Sequence, residues 1–248
     1  MTVKADPTAQ AALLELQAQD SILAQLQHRK NTLPELAEIV ELEARAKELD
    51  GQRIEHDTAV SDLTRAQKKA DAEVEQVKAR RTRDEERLSS GAVSNPKDLA
   101  SLQHELVALE RRIGTLEDDE LEIMESLEEA QARLTNVQGD LADVTAELEQ
   151  KIAARDAAIA VLDQQAAEAQ AERGTVVGGV PADLIGLYDK LRSQYGTGAA
   201  ALRARRCEGC RLEINGADLR ELAAQPDDEV LRCPECSRIL IRTPESGL

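Results

Sequence analysis

The sequence predicts a mainly α protein, a long antiparallel coiled-coil hairpin followed by a small C-terminal α+β domain. Three observations carry that expectation. Aromatic residues are limited to Tyr188 and Tyr195 in 248 residues, with no Phe and no Trp, whereas a globular core of this size depends on aromatic side chains for buried area. Charged residues reach 32% on a background of Ala, Leu, Glu, Gln and Arg, the composition of long exposed helices. All four cysteines fall in two Cys-x-x-Cys pairs near the C-terminus.

The hairpin is read from its seam. Stepping alternately by three and four residues from Leu99 through Leu102, Leu106, Leu109, Ile113 and Leu116 to Val144 and Leu148 meets 15 positions, of which 14 are apolar; Glu120 is the exception. Such a 3.5-residue repeat keeps one narrow stripe against a partner helix. Residues 96–173 therefore form one helix, roughly 115 Å long at about 1.5 Å per residue. A weaker seam runs from Leu42 through Leu49, Val60, Leu63 and Val74 to Leu88, with nine apolar positions of 14.

Between the seams lies the tip, residues 89–96. Gly91 can end one helix, Asn95 can cap the next, and Pro96 suits its first position. Two long helices joined this tightly form an antiparallel hairpin, here spanning residues 1–174. A mirror register about the tip, with paired numbers summing to about 185, sets Pro34 opposite Lys151. Thr32-Leu33-Pro34-Glu35 reads as a capping box with proline in the first turn, so the first arm breaks or kinks near residues 31–34. The same register puts the acidic run from Glu117 to Glu125 opposite Arg65, Lys68 and Lys69. Cross-arm pairs there would fix alignment, while a solvated face is the plainer reading. His28, His56 and His104 lie in the arms, away from the cysteines, and read as solvated or seam residues.

At Gly174-Thr-Val-Val-Gly178-Gly179-Val-Pro181 the glycines and proline predict the end of the hairpin and a link to a domain over residues 175–248. A short helix follows from Pro181 to Tyr195, with Leu184, Leu187, Tyr188 and Leu191 on one face. Then come Cys207-Glu-Gly-Cys210 and, after 22 residues, Cys233-Pro-Glu-Cys236. Each pair can bend around a metal as a knuckle, and four thiolates close a tetrahedral site, which points to one structural Zn2+ with no open position for water. A redox dithiol, two disulfides and a rubredoxin-like iron site are the competing readings. Flanking segments 199–205, 211–214 and 237–242 read as strands of a zinc ribbon, with a turn at Asn215-Gly216 and a helical excursion over residues 217–224. So small a domain with few large apolar residues needs its metal to fold.

The net charge of −17 is unevenly placed: 11 acidic face 10 basic residues from Thr175 onward, which leaves 37 against 21 before it. An acidic body repels nucleic acid, so binding requires a local basic patch. One candidate is the ribbon set Arg203, Arg205, Arg206, Arg211, Arg220, Arg232, Arg238 and Arg242, which either balances the −2 of a Zn-thiolate centre or tracks phosphates in RNA or DNA. Lacking aromatics, such a surface would read bases poorly by stacking. The other candidate is the tip patch Lys78, Arg80, Arg81, Arg83, Arg87 and Lys97, interrupted by Asp84, Glu85 and Glu86, a solvated tip or a dock for an acidic protein partner.

Taken together, the segment Val93-Ser-Asn-Pro-Lys97-Asp98-Leu-Ala-Ser-Leu102-Gln-His-Glu105, the helix Leu187-Tyr188-Asp-Lys-Leu191, both knuckles and the tail Ser237-Arg238-Ile-Leu240 resemble a family of bacterial proteins with a coiled-coil hairpin and a C4-type zinc ribbon. The resemblance covers nearly the whole chain. It implies Cys207, Cys210, Cys233 and Cys236 as zinc ligands, and nucleic-acid binding or regulation of transcription, secretion or flagella through protein partners. Two positions depart from the pattern: Ser237 stands where knuckles often carry Gly, and Leu99 where relatives tend to carry an aromatic. No secretory leader, membrane span, nucleophile–base set or small-molecule site is evident. The expectation is a cytoplasmic, non-enzymatic adaptor whose coiled coil holds a partner and whose ribbon meets nucleic acid; a purely protein-binding scaffold or chaperone is the alternative.

Overall fold

A computed structural model describes residues 3–248. The chain divides into two compact units: residues 37–152, and a second that joins the chain up to Leu36 with Ala153–Leu248. Five helices and three strands make up the described residues: α1 (Pro7–Asn31), α2 (Pro34–Ser89), α3 (Pro96–Gly178), α4 (Ala182–Tyr195), β1 (Ala199–Arg203), β2 (Arg206–Cys207), α5 (Gly216–Ala224) and β3 (Ile239–Ile241). None of these helices is long and apolar enough to cross a membrane.

In the first unit α2 and α3 run antiparallel. The buried residues of α3 there, Leu102, Ile113, Leu116, Leu127, Ala130 and Val144, all lie on the three-four stepping, as do Leu49, Val74 and Asp84 of α2. At the tip Gly91 takes a left-handed φ of 70°, which only glycine adopts without strain. The Asn95 side chain accepts the Lys97 backbone N–H at 3.0 Å, capping α3. The register differs from the mirror rule. Lys151 pairs with Glu38 and Lys78 with Glu117, and the Asp71 and Glu120 carboxyls meet. These pair numbers sum to 189, 195 and 191, which is 4 to 10 residues above the expected 185, the sum that among the cross-arm pairs Arg80–Glu105 keeps. Lys69 binds Glu73 of its own helix.

Thr32 and Leu33 separate α1 from α2, but no capping box forms. The Thr32 hydroxyl donates back to His28 O at 2.9 Å, and its N–H to Arg29 O, so it terminates α1.

In the second unit the last helix of the hairpin ends later than the helix end expected near residue 173. Helix α3 continues through Gly174 to Gly178. A helical glycine costs about 1 kcal/mol, offset here because Val176 and Val177 pack on the core of this unit. Nor does the ribbon pack alone. Ala5, Ala9, Leu13 and Leu16 at the start of the chain bury against Leu184, Tyr188 and Leu191 of α4 and Ala199, Ile239 and Ile241 of the sheet. The sheet order is β2-β1-β3, with β1 antiparallel to β2 and parallel to β3. The strand expected over 211–214 reduces to one bridge, Arg206 to Glu213. Asn215 caps α5 by accepting the N–H groups of Ala217 and Asp218 at 3.0 Å each.

Candidate functional site

Each cysteine pair sits in the same local turn. In the first knuckle the Cys207 N–H donates to Leu212 O at 3.1 Å and the Arg211 N–H to Cys207 O at 2.7 Å; in the second, the Cys233 N–H donates to Arg238 O at 3.0 Å and the Ser237 N–H to Cys233 O at 2.9 Å. The turn closes only if the residue after the second cysteine adopts a left-handed backbone. Arg211 and Ser237 do so, with φ of 62° and 60°. A Cβ on Gly209 would come within 3.0 Å of Ala200 Cβ and Arg238 Cδ, so a side chain there would press on both neighbours.

The two turns bring the four sulfurs together within 4.8 Å of one another. Cys207 Sγ lies 3.9 Å from Cys236 Sγ, and Cys210 Sγ 3.9 Å from Cys233 Sγ. A tetrahedron with metal–sulfur bonds of about 2.3 Å has edges of about 3.8 Å, so these residues fit a zinc ion. All four are free cysteines. Without metal, burial pushes the Cys207 and Cys233 thiols up. Burial acts the same way on Cys236, but hydrogen bonds from the Arg238 backbone and guanidinium and from neighbouring thiols outweigh it and bring that group down to about 7.

The arginines around the centre divide into two sets. Arg238 donates to Thr197 O at 3.1 Å and Tyr195 O at 3.2 Å, and its guanidinium stacks 5.3 Å from the Tyr195 ring centroid. Arg242 donates to Glu229 O, Gln225 O and Pro226 O. Arg203 pairs with Glu245 at 2.7 Å, Arg232 donates to Ser237 O, and Arg220 to Gly216 O of its own helix. Arg205, Arg206 and Arg211 are exposed, and among the described residues no ion pair or side-chain hydrogen bond engages them. Ala204 and Arg205, with φ of 47° and 64°, form the tight turn between β1 and β2 that carries Arg205 and leads into Arg206, while Arg211 belongs to the first knuckle. The C-terminal segment holds that turn in place, Ala204 N–H donating to Glu245 O at 2.7 Å and Arg205 N–H to Ser246 O at 3.0 Å.

The tip patch is largely neutralised. Arg80 pairs with Glu105, Arg81 with Glu85 and Glu110, Arg87 with Asp84, and Lys78 with Glu117. Arg83 donates to Ala79 O of its own helix. Lys97 contributes its backbone N–H to the Asn95 cap.

A buried polar cluster was not foreseen. Asp20, its side chain 1% exposed, accepts from Arg173 Nε at 2.8 Å, from Tyr188 OH at 2.7 Å and from Arg192. Gln17 Oε1 accepts the Gly198 N–H at 2.8 Å, and a Cβ on Gly198 would lie 2.6 Å from the Tyr188 ring. The available signal was Asp20 on the stripe of Leu13 and Leu16, an acid at a core position of an amphipathic helix. A cavity of about 620 Å³ opens beside Asp20, Arg173, Asp189 and Arg192.

Comparison with known proteins agrees with this architecture. The CT398-like coiled coil hairpin domain family matches residues 16–196, and the C4-type zinc ribbon domain family matches residues 206–240. An uncharacterized Mycobacterium tuberculosis protein, Rv2229c, is 36% identical over 240 residues, covering 97% of this chain and 98% of its own. An uncharacterized Mycobacterium leprae protein, ML1638, is 27% identical over 89% of this chain and 94% of its own. A solved Mycobacterium smegmatis structure superposes with a TM-score of 0.84 at 35% identity, over 97% of this chain and all of that one. CT398 from Chlamydia trachomatis shares the fold, with a TM-score of 0.69 at 16% identity over 95% of this chain and 98% of its own.

Proposed function

Since the chain belongs to the family of CT398-like coiled-coil hairpin proteins carrying a C4-type zinc ribbon, we propose that it is a non-enzymatic cytoplasmic adaptor whose ribbon contacts nucleic-acid phosphates while its hairpin holds a protein partner. The observation that carries the nucleic-acid half is the uncommitted trio Arg205, Arg206 and Arg211 beside the first knuckle. The zinc ion cross-links the two knuckles and supplies no open coordination position, so its role is structural. Guanidinium groups on such a rigid turn match phosphate oxygens in the bidentate manner arginine favours. Arg203, Arg238 and Arg242 fall outside this surface, because each already holds a carboxylate or carbonyls.

Two spaced pairs favour a protein partner for the hairpin. Val107 and Leu121 of α3 are 53% and 56% exposed, Val40 and Ile54 of α2 are 64% and 52% exposed, and each pair is two heptads apart. Apolar side chains at heptad spacing outside the seam suit a further helix.

The test is fluorescence anisotropy of the zinc-loaded protein with random single-stranded RNA, single-stranded DNA and duplex DNA over a salt series. Three phosphate contacts give a slope of log affinity against log salt of about −2.7 on duplex and about −2 on single strands. Replacing Arg205, Arg206 and Arg211 with Glu should abolish binding with zinc retained. No binding at low salt, or binding indifferent to the triple substitution, refutes the assignment and leaves the protein-binding scaffold.

A further inference from the structure

We propose that zinc occupancy of the ribbon seats the first helix of the chain, so that loading or losing the metal fastens or releases α1. The sheet is the connection. Along β1, Ala199 belongs to the core shared with α1 and α4, whereas Ala200 and Leu202 belong to the core around the cysteines; along β3, Ile239 and Ile241 face the first and Leu240 the second. Strand alternation thus gives two short strands two duties: one face is the floor under Leu13 and Leu16, the other the wall of the metal centre.

A second connection bypasses the sheet. The Ala5 N–H donates to Asp228 O at 2.8 Å and the Val230 N–H to Val3 O at 3.2 Å. Gln10 Nε2 donates to Asp227 O at 3.0 Å. Residues 227–230 lead directly into Leu231 and Cys233, which are buried beside the sulfurs. The entry to α1 is therefore hydrogen-bonded to the segment that delivers the second knuckle.

The cysteine-side core holds Ala200, Leu202, Ile214, Leu219, Leu231 and Leu240 with Cys207 and Cys233, and no aromatic residue. A cluster this small needs a metal cross-link to persist. When it loosens, the backing of Ala199, Ile239 and Ile241 is lost, and with it the floor of α1. Reciprocity follows from linkage: if zinc favours the seated state of α1 by some factor, the seated state favours zinc by the same factor. This coupling is independent of what the ribbon binds.

Hydrogen exchange on the full-length protein, zinc-loaded and after chelation, tests it. Amides over residues 9–17 should exchange at least about tenfold faster without zinc, while peptides around Leu49, Val74 and Leu116 in the other unit keep their protection. Unchanged α1 protection alongside a ribbon that opens overturns the proposal. The reciprocal measurement reads the same coupling from the zinc side: Leu13→Ala, in a core that contains no cysteine, should lower zinc affinity by about tenfold in competition with a chromophoric chelator, and Leu116→Ala should leave it unchanged. Equal affinity for Leu13→Ala and the parent protein, or an equal loss in both variants, refutes the coupling.

Discussion

Replacing Asp20 with Ala removes the acceptor on which three donors converge. Tyr188 OH at 2.7 Å is buried with it, and Arg173, 17% exposed, donates at 2.8 Å. Arg192 is 39% exposed and loses least, because water can replace the carboxylate there. A hydrogen bond to a charged group contributes about 1.5–3 kcal/mol, and removing one partner of a buried pair costs about 3–5 kcal/mol. Allowing for the access of both guanidinium groups to water, the expected loss is about 3 kcal/mol, with Asp20→Asn intermediate because its amide oxygen still accepts from Tyr188. The protein supplies its own local probe: Tyr188 and Tyr195 are its only aromatic residues, both in α4, so tyrosine fluorescence follows this unit without signal from residues 37–152. In urea, with an m-value of about 2 kcal/mol/M, the fluorescence midpoint should fall by about 1.5 M. A shift below about 0.3 M would show that the carboxylate is fully replaceable by water and that the cluster does not hold α1 to α4.

Two further outcomes follow from the metal centre. Ser237→Gly, which relieves a φ of 60°, should stabilise the ribbon by about 1 kcal/mol and slow zinc loss to a chelator; faster loss would mean that the serine side chain supports the knuckle. Zinc affinity should rise with pH, because the Cys207 and Cys233 thiols, held up by burial in the metal-free protein, must each release a proton on binding. Cys236, brought down to about 7, adds a further proton below neutrality and little above it. Between pH 6 and 8 the log of apparent affinity should therefore climb by at least about 2 per pH unit, and a slope below 1 would contradict the burial of these thiols.

What could be read from the sequence was periodic or local. The seam of α3 is a repeat, and its buried residues Leu102 to Val144 lie where the stepping places them. The cysteine spacing is a short-range geometric constraint, and the four sulfurs converge. Long-range choices were not legible. Hairpin register depends on how the turn between Ser90 and Asn95 aims α3, which residue counting about the tip cannot give, hence the displacement seen in Lys151–Glu38 and Lys78–Glu117. Gly174 reads locally as a stop, but Val176 and Val177 find a buried surface and the helix goes on. The same holds for α1. Nothing near Leu13 or Asp20 in sequence announces that the chain's first helix completes a core with residues more than 160 positions away.

The arginines show how structure changes the meaning of a composition. Read as a set, the guanidinium groups flanking the cysteines could all balance a centre of formal charge −2. In the fold most of them bond to something else: Arg238 ties the centre to the end of α4, Arg242 gathers the turn at residues 225–229, and Arg203 binds the C-terminal segment through Glu245. Of these arginines, Arg238 is also the one whose guanidinium helps bring the Cys236 thiol down. Arg205, Arg206 and Arg211 are left with solvent. At the tip the opposite has happened, since Arg80, Arg81 and Arg87 are each matched by a carboxylate, which cancels their field within roughly 8 Å at physiological salt. Of the tip patch, Arg83 and Lys97 alone have no carboxylate partner among the described residues, whereas at the first knuckle all three of Arg205, Arg206 and Arg211 lack one. That knuckle is in turn held by the metal, so chelation should abolish its shape and, under the proposed phosphate contact, any salt-dependent binding with it, whereas ion pairing along the hairpin should persist.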